Sequence, residues 1–204
     1  FLENVKNLVS HDKGNTFKII KETLIDLGYS FHFKVLNGKH FRPQNRERTF
    51  MVGFNKDIFK GTEKFEFPIL PEPTMKVKDI LEPKVDKKYT LTDHLWKYLQ
   101  DYSKKHKEKG NGFGFGLVDL NGTTRTMSAR YYKDGSEILI PQKNKNPRRL
   151  SIREAANLQG YPEYFIVDAV SMNQGYKQFG NSVVVPLIEA IGEKIVEVLE
   201  TKRR

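Results

Sequence analysis

The chain has 204 residues, of which 35 are Lys or Arg and 25 are Asp or Glu, so its formal net charge is +10 at pH 7. A hydrophobic fraction of 38% and an aromatic fraction of 12% are enough for a folded core and exclude a disordered chain. No apolar run has the length of a membrane span and no signal-peptide pattern opens the sequence, so we expect neither membrane insertion nor secretion. The charge surplus favours a polyanionic partner, with nucleic acid ahead of an acidic membrane.

Cysteine is absent, which excludes disulfides, cysteine-ligated zinc and a thiol nucleophile within these 204 residues. The five histidines do not fall at the spacing of an HExxH motif, so the sequence predicts no metal site. Residue 1 is Phe rather than Met, and we therefore expect the chain to be a piece of a longer protein.

The first quarter of the chain predicts a helix followed by two strands. Apolar residues recur at helical spacing over residues 17–27, and Gly28 follows as a natural helix terminator. Residues 29–36 and 48–54 are rich in aromatic and β-branched side chains and predict two strands joined by a basic loop. This order is typical of the edge of an α/β sheet.

The middle of the chain is less regular. Residues 57–90 are broken by prolines and predict an extended connector. Thr92 is a suitable N-cap for a helix over residues 93–107. Residues 112–140 predict short, irregular β structure, and residues 144–147 predict a second linker.

Helical patterns return after residue 147. Ser151 and Glu154 have the spacing of a capping box and predict a short helix that ends before Gly160. Apolar residues at helical spacing predict a last helix over residues 186–201. The Gly180-Asn181-Ser182 sequence predicts a turn directly before this helix. Backbone N–H groups at a helix N-terminus favour anions, so a carboxylate or phosphate could bind at the turn.

Three polar side chains alternate at the start of the second predicted strand. Period-two alternation would place Gln44, Arg46 and Arg48 on one face, where their donors suit phosphate or base oxygens. The alternative is a solvated strand face. Residues 112–115 match half of an RNA-recognition pattern, but a tight β segment with packed Phe side chains explains them better.

In their order along the chain, these features resemble the C-terminal part of a DNA (cytosine-5)-methyltransferase. The motifs that carry the resemblance are Glu3-Asn4-Val5, Gln44-x-Arg46-x-Arg48, Arg149-Leu150-Ser151-x-Arg153-Glu154-x-x-x-Leu158-Gln159-Gly160 and Gly180-Asn181-x-Val183. Between the second and third motifs, Thr126-Met127 is similar to the family's Thr-Leu element.

The resemblance implies an α/β fold: the C-terminal portion of a Rossmann-like S-adenosylmethionine-dependent methyltransferase domain with an inserted small, irregular, β-rich target-recognition domain. Residues 1–56 and 148–204 would belong to the catalytic domain, and residues 57–147 would form the recognition domain. The family's S-adenosylmethionine loop and its Pro-Cys nucleophile motif would lie upstream, in a missing N-terminal catalytic half.

The resemblance also implies roles for individual residues. Glu3 would offer a proton to N3 of a flipped cytosine, Arg48 would contact the base carbonyl and Arg46 would position the loop. S-adenosylmethionine, bound mainly by the missing half, would be bordered here by Asn181, Ser182 and Val183. Contacts with the DNA bases are expected from Arg125, Thr126, Arg130 and Tyr131.

The whole protein would then methylate cytosine in a specific double-stranded DNA site, as part of a bacterial restriction-modification system. We expect it to be cytoplasmic and associated with the nucleoid. A partner restriction endonuclease is left open. The chain alone would be inactive because it has no cysteine. A non-catalytic, sequence-specific DNA-binding module is the alternative function, and an RNA-binding protein, suggested by residues 112–115, is a third.

Overall fold

The computed structural model describes residues 1–112 and 114–203 as a mixed α/β protein. Helices and strands follow in the order β1 (Leu2–Val5), α1 (Asn15–Asp26), β2 (His32–Asn37), β3 (Glu47–Val52), α2 (Lys56–Phe59), α3 (Asp93–Glu108), β4 (Ile140–Gln142), β5 (Lys145–Arg148), α4 (Ile152–Gln159), α5 (Met172–Asn181) and α6 (Val185–Arg203). No helix in the described part of the chain is long and apolar enough to cross a membrane.

The chain divides into two compact units. Unit 1 comprises Phe1–Asn37, Glu47–Leu70 and Leu187–Arg204, and unit 2 comprises Gly38–Arg46 and Pro71–Pro186. The Gln44-x-Arg46-x-Arg48 motif is therefore divided, because Arg46 ends a segment of unit 2 and Arg48 belongs to unit 1.

Unit 1 is built on an antiparallel sheet in the strand order β1-β3-β2. The central strand β3 is its most buried element, with Phe50 1% and Val52 2% exposed. Helix α1 packs through Phe17, whose ring lies 4.7 Å from that of Phe33 on β2. Gly28 follows the helix at φ +85°, the left-handed conformation that a helix-terminating glycine adopts without strain.

Unit 2 has its own hydrophobic core, formed by segments distant in sequence. Helices α4 and α5 supply Leu158, Tyr176 and Phe179, and the irregular stretch before β4 supplies Met127 and Tyr131. The proline-rich connector also enters this core through short 3₁₀ turns, which contribute the side chains of Val77, Ile80 and Tyr89.

Two segments of unit 2 differ from the sequence-based expectation. Residues 144–147, predicted as a linker, fall largely in strand β5, which forms a hairpin with β4. Gly180 and Asn181, predicted as a turn, form the end of helix α5. A Cβ atom at Gly180 would lie 2.3 Å from the carbonyl oxygen of Ser128, so glycine is required here for close packing rather than for a turn.

The capping box at the start of α4 is also the centre of a buried charge network. Ser151 and Glu154 exchange the two expected hydrogen bonds. The Glu154 carboxylate, 0% exposed, also accepts bonds of 2.6 and 2.8 Å from Arg148 and one of 2.9 Å from the Glu82 amide. With the bond from the Ser151 amide, the Glu154 carboxylate accepts four hydrogen bonds. These bonds compensate the cost of burying its charge, so Glu154 fixes α4 against β5 and the connector.

Two tyrosine hydroxyls hold the backbone immediately before α4. Tyr131 accepts from the Leu150 amide at 2.8 Å and donates to the Ile138 carbonyl, while Tyr176 donates to the Leu150 carbonyl. Burial raises the pKa of both hydroxyls above the ordinary tyrosine value, because a buried phenolate would lose its hydration.

We predict that Glu154→Ala lowers the free energy of unfolding of unit 2 by about 3–5 kcal/mol, because it leaves the Arg148 charge buried and unpaired. Urea unfolding followed by the fluorescence of Trp96, the only tryptophan, measures this change. The control is Glu163→Ala, an exposed acid of the same unit, for which we expect about 0.5 kcal/mol or less. Equal costs for the two variants would contradict the role of Glu154.

The tyrosine pair predicts a loss of stability in alkali. A raised pKa in the folded state means that the contribution is complete below about pH 10 and is lost progressively as the pH rises beyond it. The free energy of unfolding should therefore fall by up to about 1.4 kcal/mol per pH unit for each tyrosine. The Tyr131→Phe/Tyr176→Phe variant should show a shallower fall between pH 9 and 11, and an unchanged slope would refute the assignment.

Candidate functional site

The sheet register of unit 1 brings Glu3 and Arg48 together. Antiparallel pairing sets Glu3 opposite Phe50 and Val5 opposite Arg48, so Glu3 and Arg48 are diagonal neighbours on the same face. The Arg48 Nε atom lies 3.0 Å from the Glu3 Oε1 atom. Both side chains keep access to solvent, at 28% exposure for Glu3 and 15% for Arg48.

The surroundings of Arg48 leave part of its guanidinium available. One terminal nitrogen donates to the Glu47 carbonyl at 2.8 Å, and Nε faces Glu3. Burial lowers the pKa of Arg48, and the Glu3 carboxylate opposes that shift. Arginine remains charged through such shifts, so the site presents an acid and a fixed cation side by side.

Arg46 has a different environment, within unit 2. It is 2% exposed, and its guanidinium donates to the carbonyl oxygens of Met127 at 3.0 Å, Gly180 at 3.0 Å and Ser182. One side chain thus holds two distant chain segments, one at Met127 and one at Gly180 and Ser182. Arg46 therefore does not present its donors on an open strand face, because its guanidinium is used to hold backbone carbonyl groups.

Gln44 is also fully buried. We call the two buried side chains of Gln44 and Arg46, with the segments that they hold, the anchor. Its side-chain oxygen accepts from the Met127 amide at 2.9 Å, and its side-chain nitrogen donates to Gln159 at 3.4 Å. The backbone continues the pairing, because Asn45 donates to the Thr124 carbonyl and Thr124 donates to the Pro43 carbonyl. Neither a solvated strand face nor a row of phosphate-binding donors describes these two side chains.

The last residue of α5, Asn181, and the turn after it, with Ser182 and Val183, contain the residues expected at the cofactor. Ser182 is engaged twice, since its carbonyl binds Arg46 and its hydroxyl lies 2.7 Å from the Tyr161 hydroxyl. Asn181 is exposed and Val183 half-buried. The turn can therefore offer an amide group and an apolar surface, whereas the polar atoms of Ser182 serve to hold the turn itself.

The four residues expected at the DNA bases fall into two groups. Arg125 and Arg130 are exposed, and Arg125 also donates to the Gly114 carbonyl at 2.8 Å. The Thr126 hydroxyl donates to the Asn45 carbonyl at 2.6 Å, which ties it to the anchor. Tyr131 is 0% exposed, and its hydroxyl is used within the core, so the structure places it among core side chains rather than on the surface.

The remaining sequence signals have structural roles. Phe113 of the RNA-recognition pattern lies outside the described residues, and Phe115 packs on Trp96 with ring centroids 4.7 Å apart. Arg153 donates to the Pro162 and Phe165 carbonyls and braces the loop after α4. Among the described residues, no group of three or more His, Cys, Asp or Glu is placed to hold a metal ion.

Sequence reasoning missed the roles of Gln44 and Tyr161. Their partners lie far along the chain or in loops, at Met127 for the first and Ser182 for the second. For Gln44, the available signal was the Gln44-x-Arg46 pattern immediately before a predicted strand. No sequence signal indicated Tyr161.

Known structures with a similar fold are methyltransferases. The Entamoeba histolytica methyltransferase EhMeth superposes with a TM-score of 0.69 at 20% identity, covering 95% of this chain and 62% of that one. The Dnmt2 methyltransferase of S. pombe gives a TM-score of 0.70 at 17% identity, covering 97% and 66%. At these identities the likeness shows the fold alone.

Relatives in sequence identify the family. The chain is 54% identical to the type II methyltransferase M.SsoII of Shigella sonnei over 202 residues, covering 98% of this chain and 53% of the relative. It is 51% identical to M1.ScrFI of Lactococcus lactis subsp. cremoris over 205 residues, covering 100% and 52%. The chain thus spans about half the length of these relatives. The profile of the C-5 cytosine-specific DNA methylases matches residues 1–197, and the chain belongs to this family.

Proposed function

We propose that this chain is the part of a DNA (cytosine-5)-methyltransferase that holds the target cytosine and reads the DNA around it. The observation that carries this proposal is the 3.0 Å pairing of Glu3 with Arg48 on one face of the sheet. An acid and a guanidinium at this spacing match the N3 and O2 edge of a single pyrimidine ring, which offers two adjacent acceptors.

The reaction needs both groups at the same time. Attack of a thiolate on C6 of cytosine forms a C–S bond and pushes an electron pair onto the ring, towards N3 and O2. Glu3 gives a hydrogen-bonded proton at N3, and Arg48 stabilises the developing charge at O2. C5 can then take the methyl group. A base outside this chain would remove the C5 proton, the thiolate would leave C6, and the N3 proton would return to Glu3, which restores the ring.

The residues at the end of α5 and in the turn after it would contact only one edge of S-adenosylmethionine. When bound, the cofactor supplies an electrophilic methyl group. Asn181 would donate or accept through its exposed amide, and Val183 would cover an apolar part of the ligand. Ser182 would set the shape of the turn, because its polar atoms bind Arg46 and Tyr161. The main binding surface would belong to the half of the protein outside this chain.

Recognition of DNA is proposed for unit 2. Arg125 and Arg130 are the exposed basic side chains next to the anchored Thr126, and guanidinium groups read guanine edges in the major groove. The target base must leave the helix stack to reach Glu3 and Arg48, at a cost of a few kcal/mol. We assign residues 57–147 to the inserted recognition domain on the same grounds.

The rest of the enzyme would cover the apolar surface of unit 1. Several large apolar side chains of this unit are exposed, including Ile19 at 62%, Leu27 at 66% and Phe33 at 44%. A missing N-terminal catalytic half that continues the domain would bury them and supply the cysteine.

Since relatives are named type II methyltransferases, we also propose a restriction-modification role in the bacterial cytoplasm, on nucleoid DNA and alongside a partner endonuclease.

The first prediction concerns the chain by itself. We expect no transfer of labelled methyl groups to DNA and no covalent adduct with DNA containing 5-fluorocytosine, because the 204 residues contain no thiol. M.SsoII, assayed in parallel, is the positive control. An adduct formed by this chain alone would overturn the mechanism.

The second prediction uses a completed protein, in which this chain is joined to the part of M.SsoII that it does not match. Glu3→Gln and Arg48→Met should each slow single-turnover methyl transfer by roughly 10²–10⁴-fold, since they act on the transition state. The affinity for duplex DNA should change by less than about threefold, because neither group serves ground-state binding.

Glu47→Gln is the matched control for this second prediction. Glu47 is an acid on the same strand, paired at 2.8 Å with exposed Lys6, and its loss should leave the rate within about twofold. If Glu3→Gln and Arg48→Met weakened DNA binding as much as they slowed methyl transfer, the non-catalytic DNA-binding function would be favoured instead.

A further inference from the structure

We propose that Tyr161 is a positioning residue, whose hydroxyl fixes the turn at the cofactor and so contributes to the affinity for S-adenosylmethionine. This inference rests on the proposed function, in which Asn181 and Val183 border one edge of the ligand. We define the cofactor turn as residues 182–184, which join the end of α5 to the start of α6. Tyr161 precedes Ser182 by 21 residues, in the loop after α4, and belongs to the same compact unit.

The ring of Tyr161 is fixed by packing on two phenylalanines. Its centroid lies 4.6 Å from that of Phe165 and 5.4 Å from that of Phe179, the second in an edge-to-face arrangement. Phe179 is a core residue of α5 and is 6% exposed. The core therefore determines the direction in which the Tyr161 hydroxyl points.

The backbone at Tyr161 is fixed as well. Its amide donates to the Ala156 carbonyl at 3.1 Å, directly after Gly160, which ends α4 with a φ of +86°. A Cβ atom at Gly160 would lie 2.5 Å from the Cδ atom of Pro186, so the loop packs closely on the first turn of α6. Tyr161 is thus held beside the helix that follows the cofactor turn.

The polar groups of Ser182 are all engaged. Its amide donates to the Phe179 carbonyl at 3.2 Å, and its carbonyl accepts from Arg46. Its hydroxyl lies 2.7 Å from the Tyr161 hydroxyl and donates to the Val183 carbonyl at 3.4 Å. Because the Ser182 hydroxyl has one hydrogen, Tyr161 is the donor to Ser182, and a chain of donors runs from Tyr161 to Val183.

Val183 lies between two fixed residues. Ser182 precedes it, and Val184, which follows it, is 3% exposed and packs so closely on Gly38 that a Cβ atom there would lie 2.6 Å from the Val184 side chain. Val183 itself is half-buried. A ligand that packs on Val183 therefore meets a preorganised surface, and losing the bond from Tyr161 adds the cost of ordering the turn to the cost of binding.

A purely structural role is the competing explanation, since a tyrosine with a packed ring commonly uses its hydroxyl to satisfy a neighbouring polar group. The two explanations differ in the affinity for the cofactor. A structural bond affects the stability of the fold and leaves this affinity unchanged. A positioning bond affects the affinity and the local opening of the turn, even where the fold is kept.

The first measurement uses the chain itself with Tyr161→Phe, which keeps the ring and removes only the hydroxyl. The Ser182 amide should exchange its hydrogen about 3–10-fold faster, a factor that corresponds to the loss of one net hydrogen bond. Exchange of the amides in α4 should stay at the wild-type rate. An unchanged rate at Ser182 would show that the hydroxyl does not hold the turn.

The second measurement uses the protein completed with the part of M.SsoII that this chain does not match. Titration calorimetry with S-adenosylhomocysteine, the product that remains after methyl transfer, measures affinity without turnover. Tyr161→Phe should raise its Kd about 3–10-fold. The KM for S-adenosylmethionine should rise by the same factor, while the single-turnover rate at saturating cofactor and the affinity for duplex DNA stay within about twofold.

Tyr164→Phe is the matched control. This tyrosine lies in the same loop and is 87% exposed, so loss of its hydroxyl should leave the Kd within about twofold. Ser182→Ala removes the partner and should weaken binding as Tyr161→Phe does. The double variant should be no weaker than the weaker single variant, because both changes break one bond. Losses that multiply would contradict the assignment.

The failure of this inference can be told apart from that of the proposed function. If Val183→Ala weakens binding of S-adenosylhomocysteine and Tyr161→Phe does not, the turn borders the cofactor and Tyr161 does not position it. If Tyr164→Phe weakens binding as much as Tyr161→Phe, the effect is not specific and the inference is overturned. If the completed wild-type protein neither binds S-adenosylhomocysteine nor transfers a methyl group, the inference and the proposed cofactor contact both fail.

Discussion

The antiparallel register between β1 and β3 is the constraint on which the proposed chemistry depends. Because Val5 is opposite Arg48, the acid two residues earlier comes within 3.0 Å of the guanidinium. A shift of one residue would turn Glu3 to the other face of the sheet. The buried side chains of β3, Phe50 and Val52 among them, fix this register by hydrophobic burial, so an apolar core sets the distance between two charged groups.

Two arginines separated by one residue have unrelated tasks. Arg48 stays partly accessible beside an acid, whereas Arg46 is buried against three carbonyl groups of unit 2. The division follows from where the strand begins, since β3 starts at Glu47 and Arg46 precedes it. Through Met127 and Ser182, the same side chain holds the segment proposed to read DNA and the turn proposed to border the cofactor. Arg46 thus holds the proposed DNA-reading segment and the proposed cofactor-bordering turn together within unit 2.

Local signals predicted much of the fold. The Thr92 cap and the Ser151–Glu154 capping box lie where their spacing indicated, because caps depend on neighbouring residues only. Helix α5 was missed because Gly175 and Gly180 lower helix propensity, although Gly180 is needed for close packing against the Ser128 backbone. Strand β1 has four residues, too few for a periodic pattern. Likewise, the burial of Gln44 and Arg46 depends on partners more than 80 residues away, which no local pattern reveals.

The central claim is that Glu3 and Arg48 act on one ring in one step. A double-mutant cycle measures it most directly, using single-turnover methyl-transfer rates of the completed protein with Glu3→Gln, Arg48→Met and both changes. Groups that share a transition state are strongly non-additive, so the double variant should be about as slow as the slower single variant. If the two losses multiplied as independent effects, the pair would not act together, and the account of this site would be contradicted.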